Sequence, residues 1–512
     1  MKLSIIKPIN YFWTVAFVIF IVLLFFYSGV ISDGFRFTDD HEVISIKNDI
    51  QEIGFSETLT KWIQSDFQIR LRPAYYFFRV VKIGLTGGNF LALQLINLLL
   101  FILTSILLYY AGQLLFGSVT LSVLFASIFL IGGQFAIWWR LGPSETGGTF
   151  FMALSLYLIL RNRKSINEQI GIVLAVLTMS LYKESFNLII PAFIFLRVYS
   201  QEENFNLAVG FKKLSTDVTS IILFVIFSVN LGVVYFLVGT NTIGYAGLSD
   251  SVYGIFRGVR SILYRNFVFE ALFYLSLFGF VFFEKSKSFS LGAFLNGQVA
   301  PLLFSILLVA PQLILYAHSG MGERYRLPAT LGVAYLLVAG LNSLKKHFRF
   351  SKMLVIILLV FVLFPVPDLV RQARSYAIYE GKQNLEFLEE LELAINNNSY
   401  SRIVLVTQPA EFYEWSWALK TYIEREIGSN LSIEPYLLNM DYESPFLKGL
   451  LDGFLNWFPV LANQSQDFSN SLVVAFSANH IEQFSQSLQI SDLLQYIHSG
   501  ESGLSIANIQ IK

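Results

Sequence analysis

Cysteine is absent from all 512 residues, which excludes disulfides, thiol catalysis and cysteine metal sites without fixing the compartment. Charge is scarce: 14% of residues are charged, against about 25% in an ordinary soluble protein. The charges cancel to a formal net of +0, so no overall field draws nucleic acid and no such partner is expected. Walker loops, dinucleotide fingerprints, HExxH, GxSxG and internal repeats do not occur. What is abundant is apolar, 54% of the chain, with 50 Phe and 25 Tyr. Apolar runs near the roughly 20 residues that a helix needs to cross hydrocarbon recur between short polar stretches. The expected fold is therefore an α-helical polytopic membrane protein.

Eleven candidate spans can be read, at 11–30, 90–112, 119–138, 146–160, 168–182, 186–199, 217–239, 266–283, 298–317, 327–344 and 352–369. The fourth to sixth are short enough to be tilted, broken or re-entrant. Lys2 and Lys7 precede the first run, which is longer than a signal-peptide core and ends in GVISDGF without a small-x-small exit. An uncleaved first span is expected. With the N-terminus cytoplasmic, the basic stretches Arg161–Lys164, Arg197 with Lys212 and Lys213, Glu284–Lys287 and Lys345–Lys352 all fall on the cytoplasmic side. WWRLGPSE, YKES and GMGERYR then lie outside, as does the C-terminal region.

The division expected is a transmembrane domain, 1–370, that includes a first outer loop at 32–89, followed by an extracytoplasmic α/β domain at 371–512. The outer loop carries PAYYFFRVVKIG, an amphipathic piece suited to the interface plane. The C-terminal part reads as helix (NLEFLEELELAI), strand (SRIVLVTQP), helix (EWSWALKTYIEREIG) and a second strand ending in a polar turn (SLVVAFSANH).

The densest chemistry lies in FRFTDDHE, where Asp39, Asp40, His41 and Glu42 follow the outer end of the first span. If the segment is helical, Asp39 and Glu42 share a face while Asp40 projects elsewhere. A partly desolvated carboxylate there could act as a general base. Asp39, Asp40 and Glu42 could instead hold Mg²⁺ or Mn²⁺, and the plainer reading is a solvated acidic loop.

Basic residues gather on the same side: Arg70 and Arg72 in QIRLRPAYY, Arg140, Lys183, the set Arg257, Arg260 and Arg265, and Arg324 and Arg326 in GERYR. Arginine grips phosphate with a permanent charge and a two-pronged fork, so outer arginines beside membrane helices suit a lipid-linked phosphate. Headgroup contact or local ion pairing is the alternative. Glu145 and Glu184 sit at span ends, where a charge needs a partner or a wet cavity. His318 shares the outer loop with Arg324 and reads as interfacial or as a site member.

In their order along the chain these pieces resemble the polytopic glycosyltransferases of the GT-C superfamily. The nearest likeness is to relatives of the dolichyl-phosphate-mannose protein mannosyltransferases and to bacterial aminoarabinose transferases. The resemblance runs over about residues 11–345, through the acids after the first span, RPAYYFFRVVKIGLTGGNFLALQLINLL, RLGPSETGGTFFMALSLYLIL, LYKESFNLIIPAFIFL and GERYRLPATLGVAYL. It implies an enzyme that takes a sugar from a polyprenyl-phosphate donor and inverts the anomeric centre in one displacement. The leading acid of the family's pair falls on Asp39, with Asp40 second; a register shift by one would make Asp40 the base. Donor-phosphate contacts fall on Arg324, Arg326 or Arg72. The resemblance implies an envelope acceptor and membrane lipid as partners and no required cofactor, with a divalent metal as an option.

Two other classes fit the composition. A lipid-linked-substrate transporter or flippase would place polar or broken spans at midplane and show inverted repeats. Here the second, third and eleventh candidate spans are almost wholly apolar. A non-catalytic scaffold would tolerate replacement of both Asp39 and Asp40.

Overall fold

The computed structural model describes residues 9–31, 34–67, 70–161, 165–201, 213–238, 252–283, 291–317, 320–345, 351–438, 468, 470–488, 494–499 and 504–509. It separates into two compact units. The first comprises Met1–Phe25, Leu59–Arg79 and Ile96–Arg371; the second comprises Phe26–Thr58, Val80–Leu95 and Gln372–Lys512.

The first unit is helical, as backbone in hydrocarbon must be, because lipid offers no hydrogen-bond partner to N–H or C=O groups. A helix lies in every one of the eleven apolar segments, from Ile9–Ser28 and Phe90–Phe116 to Leu327–Lys345 and Ser351–Leu363. Among the described residues, five helical runs are long and apolar enough to cross a membrane: Phe90–Phe116, Val218–Phe236, Gly297–Leu315, Arg324–Leu344 and the run that opens at Met353. Their outer faces carry exposed Leu99, Phe224, Ile356 and Phe361, apolar surface that only lipid or a partner would cover. The protein is a polytopic membrane protein.

The third expected span, 119–138, is not one helix. The helix Val119–Leu130 stops at a glycine pair, with Gly132 at φ 144°, and the chain re-forms as a buried 3₁₀ turn, Gly133–Trp138. Glycine adopts that backbone without a Cβ clash. The basic stretches at Lys2, Lys7, 162–164, Lys212, 284–287 and 346–350 lie outside the described residues, as does His318.

The second unit is built on a five-stranded sheet. Its strands are β1 (Arg402–Thr407), β2 (Ser432–Leu437), β3 (Ser471–Ala475), β4 (Leu494–Ser499) and β5 (Ser505–Ile509), in the order β2-β1-β3-β5-β4. β1 is parallel to both β2 and β3, while β5 runs antiparallel to β3 and β4. Ile403–Val406 have no exposed surface, as expected of a central strand covered on both faces. Ile403 and Leu405 point into a core with Phe387, Leu391, Leu419 and Ile423, whereas Val404 and Val406 meet Ile481 and Phe484. Phe35, Phe37 and Ile44, from just beyond the first span, belong to the first of these cores.

Candidate active site

In the first unit the candidate cations are held by one another's neighbours. Pro73 opens the helix Pro73–Thr86, a position where its missing N–H costs nothing. The segment before it is tied down at both sides: Ala74 donates to the Leu181 carbonyl at 3.1 Å, and the Leu71 N–H donates to Glu184 Oε1 at 3.0 Å. Arg72 points its Nε and Nη2 at Asp66 Oδ1, at 3.1 and 2.6 Å, and its backbone N–H reaches Asp66 Oδ2 at 3.1 Å. Its guanidinium also faces the rings of Tyr75 and Tyr76. Burial lowers the Arg72 pKa, but the Asp66 carboxylate together with Tyr76 and Tyr75 more than offsets it, so the guanidinium is held charged. Burial also pushes Asp66 up and Arg70 down, and Arg72 beside Arg70 adds to the latter effect.

Glu145 starts the helix Glu145–Arg161, where a carboxylate complements the helix N-terminus. Lys183 Nζ reaches its Oε1 at 2.5 Å, and both side chains are buried. Lys183 also sits 4.1 Å from the centre of the Tyr325 ring, and Arg324 lies 5.2 Å from the same ring and donates to its hydroxyl at 3.2 Å. Tyr325 stacks on Tyr316, with centroids 4.8 Å apart. Arg70 feels the fields of Glu184, Tyr325 and Asp66.

The structure thus brings Arg70, Arg72, Lys183, Glu145, Glu184 and Arg324 into one neighbourhood around Tyr325. It holds four cations, Arg70, Arg72, Lys183 and Arg324, against three carboxylates, Asp66, Glu145 and Glu184. Arg326 instead pairs with Glu270 at 2.7 Å and covers the Phe267 ring. Arg140 is half-buried, and its carbonyl accepts from Asn97 at 2.9 Å. Arg257, Arg260 and Arg265 are exposed on the helix Val252–Asn266.

The acidic turn belongs to the second unit, and it is not helical through Asp39. The helix His41–Ile53 begins two residues later; Asp39 has φ 66° and Asp40 occupies the N-cap position. Asp39 and Glu42 therefore do not share a helical face. Asp tolerates the left-handed region better than most residues, because its short polar side chain bonds locally. Asp40 is fully buried, and its Oδ2 accepts the Arg36 N–H at 3.0 Å. Asp39 and Glu42 are half-buried, and Thr38 donates to Glu380 at 3.2 Å. His41 stacks near Trp417, with centroids 4.5 Å apart. Among the described residues no three His, Asp or Glu side chains converge as a metal-ion group.

Residues not singled out from the sequence are Asp66, Tyr325 and Arg36. An acid six residues before an R-P pair was a readable signal for the first; the other two are marked only by contacts made in the fold. Arg36 is fully buried, with its Nη2 on the Val30 carbonyl at 3.1 Å and its guanidinium 5.2 Å from the Tyr376 ring centre.

No protein-family model matches the sequence, and no curated protein matches it. Solved structures do. ArnT from Cupriavidus metallidurans bound to undecaprenyl phosphate superposes with a TM-score of 0.51 over 97% of this chain and 98% of its own, at 12% identity. The apo state of the same ArnT gives 0.52 over 98% and 99%, also at 12% identity. The chain has the fold of ArnT. The likeness extends from end to end, so the C-terminal sheet is as much a part of the ArnT-like fold as the apolar helices are. The expected polytopic helical fold with a C-terminal α/β part is the observed one.

Proposed function

We propose that this chain is a glycosyltransferase of the bacterial inner membrane that transfers a sugar from a polyprenyl-phosphate donor to an envelope acceptor (glycan, lipid or protein). In this reading it has about eleven spans, a cytoplasmic N-terminus and an extracytoplasmic C-terminal region. The observation that carries the reading is the gathering of Arg70, Lys183 and Arg324 around Tyr325, in a fold shared end to end with an ArnT that was solved with undecaprenyl phosphate. A lipid phosphate is the kind of anion such guanidinium and ammonium groups grip. Arg324, in the same turn as Tyr325 and donating to its hydroxyl, is the first choice for the phosphate contact.

The reaction is the single inverting displacement that the family resemblance implies. The acceptor oxygen attacks the anomeric carbon from the face opposite the phosphate, and its proton passes to a carboxylate. The bond from that carbon to the phosphate oxygen breaks, its electrons staying on the leaving polyprenyl phosphate. Guanidinium charge stabilises the leaving group, so neither a general acid nor a divalent metal is needed. Of the two acids, Asp39 suits the base. Asp40 is fully buried with Oδ2 engaged by Arg36, whereas Asp39 keeps accessible surface on a strained backbone, the kind of strain that concentrates at functional positions.

The test is release of polyprenyl phosphate from a panel of radiolabelled polyprenyl-phosphate sugars by purified protein in lipid, with crude envelope acceptors present. Acceptor-dependent release supports the reading. Donor that neither binds nor turns over with any sugar contradicts it.

A further inference from the structure

Open α/β sheets bind ligands beyond the carboxyl ends of their strands, where neighbouring connections leave in opposite directions. In this sheet that point lies between β1 and β3. β1 leads through the helix Pro409–Arg425 to β2 on one side; β3 leads through the helix Ala478–Leu488 to β4 on the other. The place is taken by a residue of the same chain. Phe37, with no exposed surface, sits among Trp415 of the helix after β1, Phe476 at the end of β3, and Phe387. Ring centroids are 5.2, 5.6 and 6.1 Å away, two of the three contacts edge-on, the arrangement aromatic quadrupoles favour.

Two residues further on stands Asp39. Between them and after them the turn is pinned again, by Thr38 on Glu380 and by Arg36 on Asp40. The helix that follows is clamped to the same unit by ion pairs, Lys47 to Glu426 and Asp49 to Arg425. We propose that Phe37 is a positioning residue: the ligand crevice of the C-terminal sheet is filled by Phe37, which thereby fixes the backbone that presents Asp39. The inference rests on the reading of Asp39 as the base. It assigns the sheet domain a role that the sequence leaves open.

The experiment compares Phe37→Leu, Leu391→Ala and Asp39→Asn with wild type, in lipid. Leu391 is a fully buried member of the same core, so it controls for lost stability. Expected for Phe37→Leu is a fall in kcat on the order of 100-fold, as for a misplaced reacting group, with donor KM unchanged. Hydrogen exchange should speed up at the amides of 37–44. Leu391→Ala should unfold more easily yet keep kcat per folded molecule. If Asp39→Asn is inactive while Phe37→Leu retains wild-type kcat and exchange, the positioning role is overturned and the base assignment stands. If Asp39→Asn turns over like wild type, the base assignment falls, and exchange at 37–44 alone decides whether Phe37 fixes the turn.

Discussion

Lys183 Nζ lies 2.5 Å from Glu145 Oε1 across 38 residues of sequence, with both side chains shielded from solvent. Leaving either charge buried alone costs about 3–5 kcal/mol. Glu145→Gln and Lys183→Met should therefore each destabilise strongly. The Glu145→Gln/Lys183→Met double variant should lose less than the sum. Denaturant unfolding in mild detergent reads this, and simple additivity would contradict it.

Asp66 gives a pH dependence of defined sign. Burial raises its pKa above the ordinary 3.8, although Arg72 pulls the other way. The folded chain thus binds this proton more tightly than the unfolded chain. The resulting stabilisation is present in acid and is lost as pH rises through the folded pKa. Asp66→Asn removes that dependence. Relative to the variant, the Tm of wild type should fall as pH climbs above the ordinary carboxylate range. A flat difference, or one of opposite slope, would count against the burial of this carboxyl.

Gly147 and Gly148 make close packing possible at the start of the helix Glu145–Arg161. A Cβ on Gly147 would come within 2.3 Å of the Tyr182 ring, and one on Gly148 within 2.5 Å of the Phe186 ring. Alanine at either position should cost about 1–3 kcal/mol by overpacking. At Gly171 the nearest atom is Leu158 Cδ1 at 3.6 Å. Alanine there should be neutral or stabilise by up to about 1 kcal/mol. Thermal unfolding of the three variants orders them.

Arg324 and Arg326 should separate by what they lose. Arg324→Gln removes a charge-assisted contact of about 1.5–3 kcal/mol, which raises donor KM roughly 10- to 100-fold with little change in stability. Arg326→Gln leaves Glu270 without its partner and should lower stability first. Donor titrations and melting curves on both variants, side by side, distinguish the two roles.

Much of this was legible in the residues, for physical reasons. Helices in lipid announce themselves by length and apolarity, so Phe90–Phe116 and Val218–Val233 could be placed from composition alone. The strands Arg402–Thr407 and Ser471–Ala475 showed as β-branched runs ending in polar turns. The basic and acidic span ends were visible too, but their partners were not. Arg72 needs Asp66, and Arg326 needs Glu270 from 56 residues away. Least legible was the setting of the acidic turn. That Phe37 packs on Trp415 and Phe476 depends on contacts hundreds of residues apart. The left-handed backbone at Asp39 is one that Asp tolerates better than most residues. That turn stands where a helix would have put Asp39 and Glu42 on one face.

The central claim is that Asp39, and not Asp40, accepts the acceptor's proton. Asparagine tolerates the same left-handed backbone, so Asp39→Asn removes the carboxylate while keeping the turn. The measurement is acceptor-dependent release of polyprenyl phosphate by wild type, Asp39→Asn and Asp40→Asn, each checked for folding. Release abolished in Asp39→Asn, and retained in whatever fraction of Asp40→Asn is folded, is the predicted result. Wild-type release by Asp39→Asn would contradict it, and full release by both variants would mean that neither acid is the base.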